Sequence, residues 1–253
     1  MWASTLAGPG QHRIYYPLPK GYCAKTVSMK PSCFVRLAIE GKITADTPKQ
    51  LKKLLNGLGG RKLPVVFQSH GGDVDAALSV GRMIRAAGLD TAVGRTQLND
   101  CPMLDPRCTQ KIIRDGWSED EVHAEGAYCF SACPFALIGG TARTAATNAS
   151  IGLHQITNGP NRQETGRRRL DVISTKADPA LKRTLAIYLD EMGVNSNDVF
   201  AMMGLATPKG IYYIQSAEAL KSHVITKVFS SNDEPGYVIR PTDVKTSAVP
   251  NEF

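Results

Sequence analysis

Residues 126–155 read GAYCFSACPFALIGGTARTAATNASIGLHQ. Ser131 stands between small and thiol-bearing neighbours at the head of an apolar, helix-like run over residues 130–137. The stretch closes on SIGLHQ, whose residues 150–154 are strand-like and end on His154. A hydroxyl at a helix start and an imidazole at a strand end are two parts that nucleophilic catalysis needs. The remainder of the chain is therefore read for what would complete that pair: donors for an anion, an acceptor behind the imidazole, and a scaffold.

Upstream, residues 63–68 (LPVVFQ) form a short continuous apolar run, the pattern of a parallel strand buried on both faces. The run leads into Ser69-His70-Gly71-Gly72-Asp73 and then an amphipathic helix through Ala76, Ala77, Val80, Met83 and Ile84. A glycine pair after a strand lets backbone N–H groups face an incoming oxygen without interference from a Cβ. Taken by itself the segment is better read as a plain tight turn. A dinucleotide site has less support still, because GxGxxG is absent.

The other elements follow from periodicity and punctuation. Residues 33–39 (CFVRLAI) alternate as a strand does, and Gly41 permits a turn. Thr47 is the expected N-cap of a helix carrying Pro48, Leu51, Leu54 and Leu55, stopped by Gly57, Gly59 and Gly60. Residues 89–93 read as a strand and 141–149 as a turn-prone connection. A long helical pattern over 164–192 breaks at Asp178-Pro179, and a short helix follows over 196–203. Residues 207–210 form a turn, 211–214 a strand, 217–222 a helical turn and 224–228 a final strand. Alternating β and α elements predict an α/β domain on a mainly parallel sheet. The expected division is an extended lead-in over 1–32, one domain over 33–229 and a polar tail over 230–253. Within the domain, residues 94–125 form an irregular, Cys-bracketed insertion.

Composition narrows the function classes. The chain has 253 residues, 42% hydrophobic and 21% charged, as an ordinary globular domain has. No window approaches the ~18 consecutive apolar residues of a membrane span. The opening MWASTLAGPG has no basic region and no apolar core, so no signal peptide is visible. Net charge is +7, but Arg167, Arg168 and Arg169 lack interleaved aromatics and read as a solvated helix face, with no nucleic-acid partner. Six cysteines (Cys23, Cys33, Cys101, Cys108, Cys129 and Cys133) fall as three local pairs, which predicts one to three disulfides and an exported, periplasmic-type protein. No CxxC occurs, so no metal is expected. His123, Glu125, Cys129 and Cys133 superficially match a zinc deaminase, but the downstream PCxxC is missing.

Three pieces then line up in order: QSHGGDVDAALSVGRMI, CFSACPFALIGG and SIGLHQ. Together they resemble the Clp-protease/crotonase superfamily, most closely the Clp-type serine peptidases and their exported relatives. The resemblance spans roughly residues 33–228, with His70 where those proteins carry a proline. It implies a Clp/crotonase-like α/β fold, a repeated ββα spiral with a mainly parallel sheet. It also implies Ser131 as nucleophile, His154 as general base, and the backbone N–H groups of Gly72 and Ala132 as the oxyanion hole. Ala132 suits that role by lying at a helix start, where N–H groups lack intrahelical partners. The departure is the third triad member. Matching YIQSAEALKSHVIT to the family's segment puts Ile211 where an aspartate belongs, and Ile211 cannot orient an imidazole. Thr207 and Asp198 lie upstream, and spacing selects neither.

The leading expectation is a serine peptidase-like hydrolase on peptide or protein substrates, without a cofactor, and a homo-oligomer. The alternatives are a catalytically impaired binding or assembly module on the same fold, and an acyl-CoA enzyme of the crotonase branch. Membrane association would require a segment outside this chain. No GxxxxGK[ST] loop is present, so any ATP-driven unfolding would come from another chain.

Overall fold

The computed structural model describes residues 36–58, 60–98, 120–156 and 179–229, together with the short strands β1 (Arg13–Ile14) and β6 (Cys101–Pro102). The rest of the lead-in, residues 103–119 of the insertion, the arginine cluster and the tail lie outside the described residues.

One six-stranded sheet runs in the order β1, β2 (Leu37–Glu40), β3 (Val65–Gln68), β4 (Thr91–Val93), β9 (Arg143–Ala146) and β12 (Lys227–Phe229). Only β1 is antiparallel to its neighbour. Strands β2 and β3 are buried at every position, as expected of strands covered on both faces. A smaller sheet has the order β11 (Tyr212–Tyr213), β10 (Ser150–Leu153), β8 (Tyr128–Phe130), with β10 and β8 parallel. The chain enters the large sheet, then the small one, then a helix, and repeats. Strands β4 and β8 precede helix α3 (Cys133–Leu137), and β9 and β10 precede α4 (Pro179–Glu191). That is the expected ββα spiral. Helices α1 (Thr47–Gly57) and α2 (Val74–Ala86) make the earlier crossovers. The helices α5 (Ser196–Gly204) and α6 (Ser216–Lys221) flank β11 in sequence. Phe67, Phe135, Tyr188, Ile39 and Leu137 centre the core.

Three expectations are corrected. Thr47 is not the cap of α1; Asp46 occupies that position, and Thr47 is buried inside the helix. Its hydroxyl accepts the Thr44 N–H at 3.0 Å, a local turn bond that competes with capping. Residues 141–149 are not merely a connection, because Arg143–Ala146 is a strand between β4 and β12. Its paired alanines carry no strand signal of their own, and the strand exists because it pairs on both sides. Within the insertion, β5 (Arg95–Leu98) pairs antiparallel with β6 on one side and with β7 (Asp120–His123) on the other, so its described residues form a three-stranded sheet with β5 in the middle.

Glu40 ends β2 and is 1% exposed. Its carboxylate accepts the Thr96 N–H at 2.7 Å, joining the large sheet to this three-stranded sheet. Burial pushes its pKa up from 4.5 to about 7, with the Thr96 hydrogen bonds and the Arg36 and Arg95 charges only partly offsetting the lost hydration. Below about pH 4.5 this carboxyl is protonated in both folded and unfolded chains. As pH rises through about 7 the folded state must ionise it in place, so stability present at low pH is lost. Urea unfolding should show the parent losing on the order of 3 kcal/mol from this group between pH 5 and 8, and Glu40→Gln should abolish that slope. An unchanged slope in the variant would rule out Glu40 as its source.

Candidate active site

The small sheet is joined to the large one at Ser69, the residue after β3. The Ser69 N–H donates to the Tyr128 carbonyl at 3.0 Å, and the Phe130 N–H donates to the Ser69 carbonyl at 2.9 Å. This parallel bridge between Ser69 and Cys129 sets the SHGG turn beside the end of β8. The Ser69 hydroxyl then accepts the Gly71 N–H at 3.0 Å and shapes the turn. Gly71 has φ +87, and a Cβ there would lie 2.5 Å from the Phe130 oxygen, 2.6 Å from the Ala132 nitrogen and 2.7 Å from Ser131 Cβ. Two of those neighbours are backbone and cannot yield. Glycine is required both for the backbone angle and for the contact.

Ser131 follows β8 and precedes Ala132, the N-cap of α3. Its φ is 61, a left-handed conformation that costs a non-glycine residue on the order of 1 kcal/mol or more. The Ser131 N–H donates to the Gly152 carbonyl of β10 at 2.9 Å, which ties the elbow to the strand leading to His154. The expectation of a serine on the helix run itself is refined here. Tyr128–Phe130 is strand, the helix begins at Cys133, and Ser131 is the turn between them.

His154 lies one residue beyond β10. Its Nε2 is 2.7 Å from Ser131 Oγ, and its Nδ1 is 2.7 Å from the carbonyl oxygen of Gln155. A carbonyl only accepts, so the proton of the neutral ring resides on Nδ1 and the lone pair of Nε2 faces the serine hydroxyl. The hydroxyl donates to that lone pair. Among the described residues, no carboxylate reaches Nδ1. Thr207 accepts the Gly210 N–H in a turn, Asp198 lies in the first turn of α5, and Ile211 packs near Gly152. Sequence reasoning missed the Gln155 carbonyl, for which no side-chain signal exists.

The N–H groups of Gly72 and Ala132 meet no acceptor among the described residues. The Ile43 bridge accounts for this at Gly72. The Ile43 N–H donates to the Gly71 carbonyl and the Asp73 N–H to the Ile43 carbonyl, leaving the Gly72 N–H turned the other way. Cys129 and Cys133 form a disulfide across Ser131, and both are fully buried. His70 is exposed, and its ring lies 4.2 Å from Tyr128. Burial, and then the Glu40 charge, raise the Tyr128 pKa above its usual value. Phe130 and Tyr213 sit either side of Gly152 in register and meet edge to face at 5.5 Å. Beyond Gln155 a cleft of about 220 Å³ opens, lined by Ile156, Leu181, Leu185, Phe200 and Met203. No group of three or more metal-ligating side chains occurs among the described residues.

Solved proteases follow a similar course of chain. A mutant of the 1510-N membrane-bound stomatin-specific protease is 18% identical, with 76% of this chain and 77% of that one covered and a TM-score of 0.48. A second mutant of that protease, in complex with a substrate peptide, is also 18% identical, over 79% and 75%, with a TM-score of 0.47. ClpP1 from Listeria monocytogenes is 13% identical over 76% of this chain and 89% of its own, with a TM-score of 0.45. These likenesses concern the path of the backbone and say nothing of chemistry. No protein-family model matches the chain, and no curated protein does.

Gly71→Ala should cost on the order of 2 kcal/mol or more, since the added methyl meets fixed backbone at a positive φ. Urea unfolding measures this. A variant as stable as the parent would show that the turn and the elbow are not packed as described.

Proposed function

We propose that this protein is a serine hydrolase that cleaves peptide bonds by acyl transfer. The observation that carries the reading is the Ser131 hydroxyl 2.7 Å from His154 Nε2, with Nδ1 held 2.7 Å from a carbonyl. That arrangement presents a lone pair to the proton that must leave the serine.

In this reading Ser131 Oγ attacks the substrate's acyl carbon while its proton passes to Nε2 of His154. The carbonyl electron pair moves to oxygen, and the resulting oxyanion accepts from the N–H groups of Gly72 and Ala132. The tetrahedral species collapses, the C–N bond breaks, and His154 returns the proton to the leaving amine. Water, deprotonated by the same imidazole, then releases the acyl group and restores Ser131.

The Gln155 carbonyl supports the tautomer but brings no negative charge, so turnover is slower than a full triad gives. Loss of an orienting carboxylate costs as much as ~10⁴ in rate where it also disturbs the tautomer. Here the tautomer is kept and the expected deficit is smaller. A peptide as substrate, assembly of several copies and an exported location complete the proposal. The buried Cys129–Cys133 bridge supports an oxidising compartment.

Fluorophosphonate labelling followed by mass spectrometry tests the assignment. The parent should be modified on Ser131, Ser131→Ala should take no label, and His154→Ala should label ~10²–10⁴-fold more slowly. Undiminished labelling of Ser131→Ala would refute the nucleophile.

A further inference from the structure

We infer that the Cys129–Cys133 disulfide is a positioning element for the reaction at Ser131, over and above any contribution to stability. The inference rests on the assignment of Ser131 as nucleophile and goes on to say what holds it.

Ser131 needs φ 61, an angle that a serine leaves readily if nothing restrains it. Upstream the restraint is good, with β8 pairing in parallel with β10 and the Phe130 N–H bound to Ser69. Downstream the body of helix α3 is held, with all five residues buried and the Tyr188 and Thr91 hydroxyls donating to the Phe135 and Leu137 carbonyls. Its start is not, because the N-cap, Ala132, makes no side-chain capping bond. The disulfide restrains that start. It joins the residue two before Ser131 to the residue two after, with a Cα–Cα distance of 5.2 Å. Cys129 belongs to the strand and Cys133 begins the helix, so the bridge fixes the start of α3 to the end of β8. Both ends are fully buried, Cys129 against the core beneath the small sheet. The Ala132 N–H lies inside the same closed loop, so one bond orients the serine and one oxyanion donor together.

The bridge therefore acts on the geometry of attack and not on substrate binding. Removing it lets the elbow sample other angles, which lowers the rate of bond formation and leaves binding intact.

The test is the kinetics of fluorophosphonate modification, resolved into the maximal rate of labelling and the reagent concentration for half-maximal rate. In Cys129→Ala/Cys133→Ala the maximal rate should fall at least tenfold, with the half-maximal concentration within about twofold of the parent. Leu54→Ala, a buried truncation on α1, should lower the melting temperature while leaving the maximal rate at the parent value. If the double variant does not fold, Cys129→Ala and Cys133→Ala singly open the same bridge while each keeps one buried side chain, and the same fall is expected. Bridge-free variants that label on Ser131 at the parent rate would overturn the positioning role and leave the nucleophile assignment standing. A fall matched by Leu54→Ala would reduce the bridge to a stabilising one. A parent that takes no label on Ser131 would remove both inferences.

Discussion

Two hydrogen bonds at Ser69 hold this architecture together. They run from the Ser69 N–H to Tyr128 and from the Phe130 N–H to Ser69, so one buried residue belongs to both sheets. Without that bridge the SHGG turn and the serine elbow, some sixty positions apart in the chain, would have no reason to be adjacent. Backbone groups at such a junction are removed from water and must find partners, which makes the register of one sheet dictate that of the other. The Ser69 hydroxyl extends the same logic by binding the Gly71 N–H. The turn's shape is thereby set from inside the bridge.

A second constraint passes through Gly152. Its carbonyl receives the Ser131 N–H, while its missing side chain leaves room for Ile211 and Phe130, where a Cβ would come to 2.4 and 3.0 Å. Two positions further on stands His154, so the strand that fixes the elbow also delivers the imidazole. Ser131 and His154 are thus coupled through one short strand, whose parallel pairing with β8 sets their separation. The cost of holding Ser131 at a positive φ is met by this pairing on one side and by the disulfide on the other.

Much of this was legible in the residues because burial leaves a compositional trace. LPVVFQ announces a strand covered on both faces, and the helix after Asp73 begins where the periodicity places it, with the Asp73 carboxylate accepting the Ala76 N–H. Residue type, order and spacing singled out Ser131 and His154, and the structure brings their side chains within 2.7 Å. The failures share a cause, which is that backbone partners carry no letter. Arg143–Ala146 looks like a turn because its strand character comes from neighbours on both sides and not from β-branched bulk. The Thr47 hydroxyl looks like a cap until the Thr44 N–H takes it. The acceptor behind His154 is a main-chain carbonyl, which no residue type at Ile211 or elsewhere signals.

That carbonyl separates two roles that a triad aspartate combines. An aspartate fixes the tautomer and stabilises the imidazolium that forms as the serine proton arrives. The Gln155 oxygen does the first fully, because it can only accept and is attached one residue from the ring it orients. It does the second weakly, since a dipole replaces the full negative charge that would attract the imidazolium. In the proposed reaction the energetic shortfall therefore falls on the protonated state of His154, after proton transfer has begun, and not on the ground-state geometry. In the proposed reaction a site with this support is correctly aimed before it reacts and penalised as it reacts, which would make Ser131 a competent but slow nucleophile.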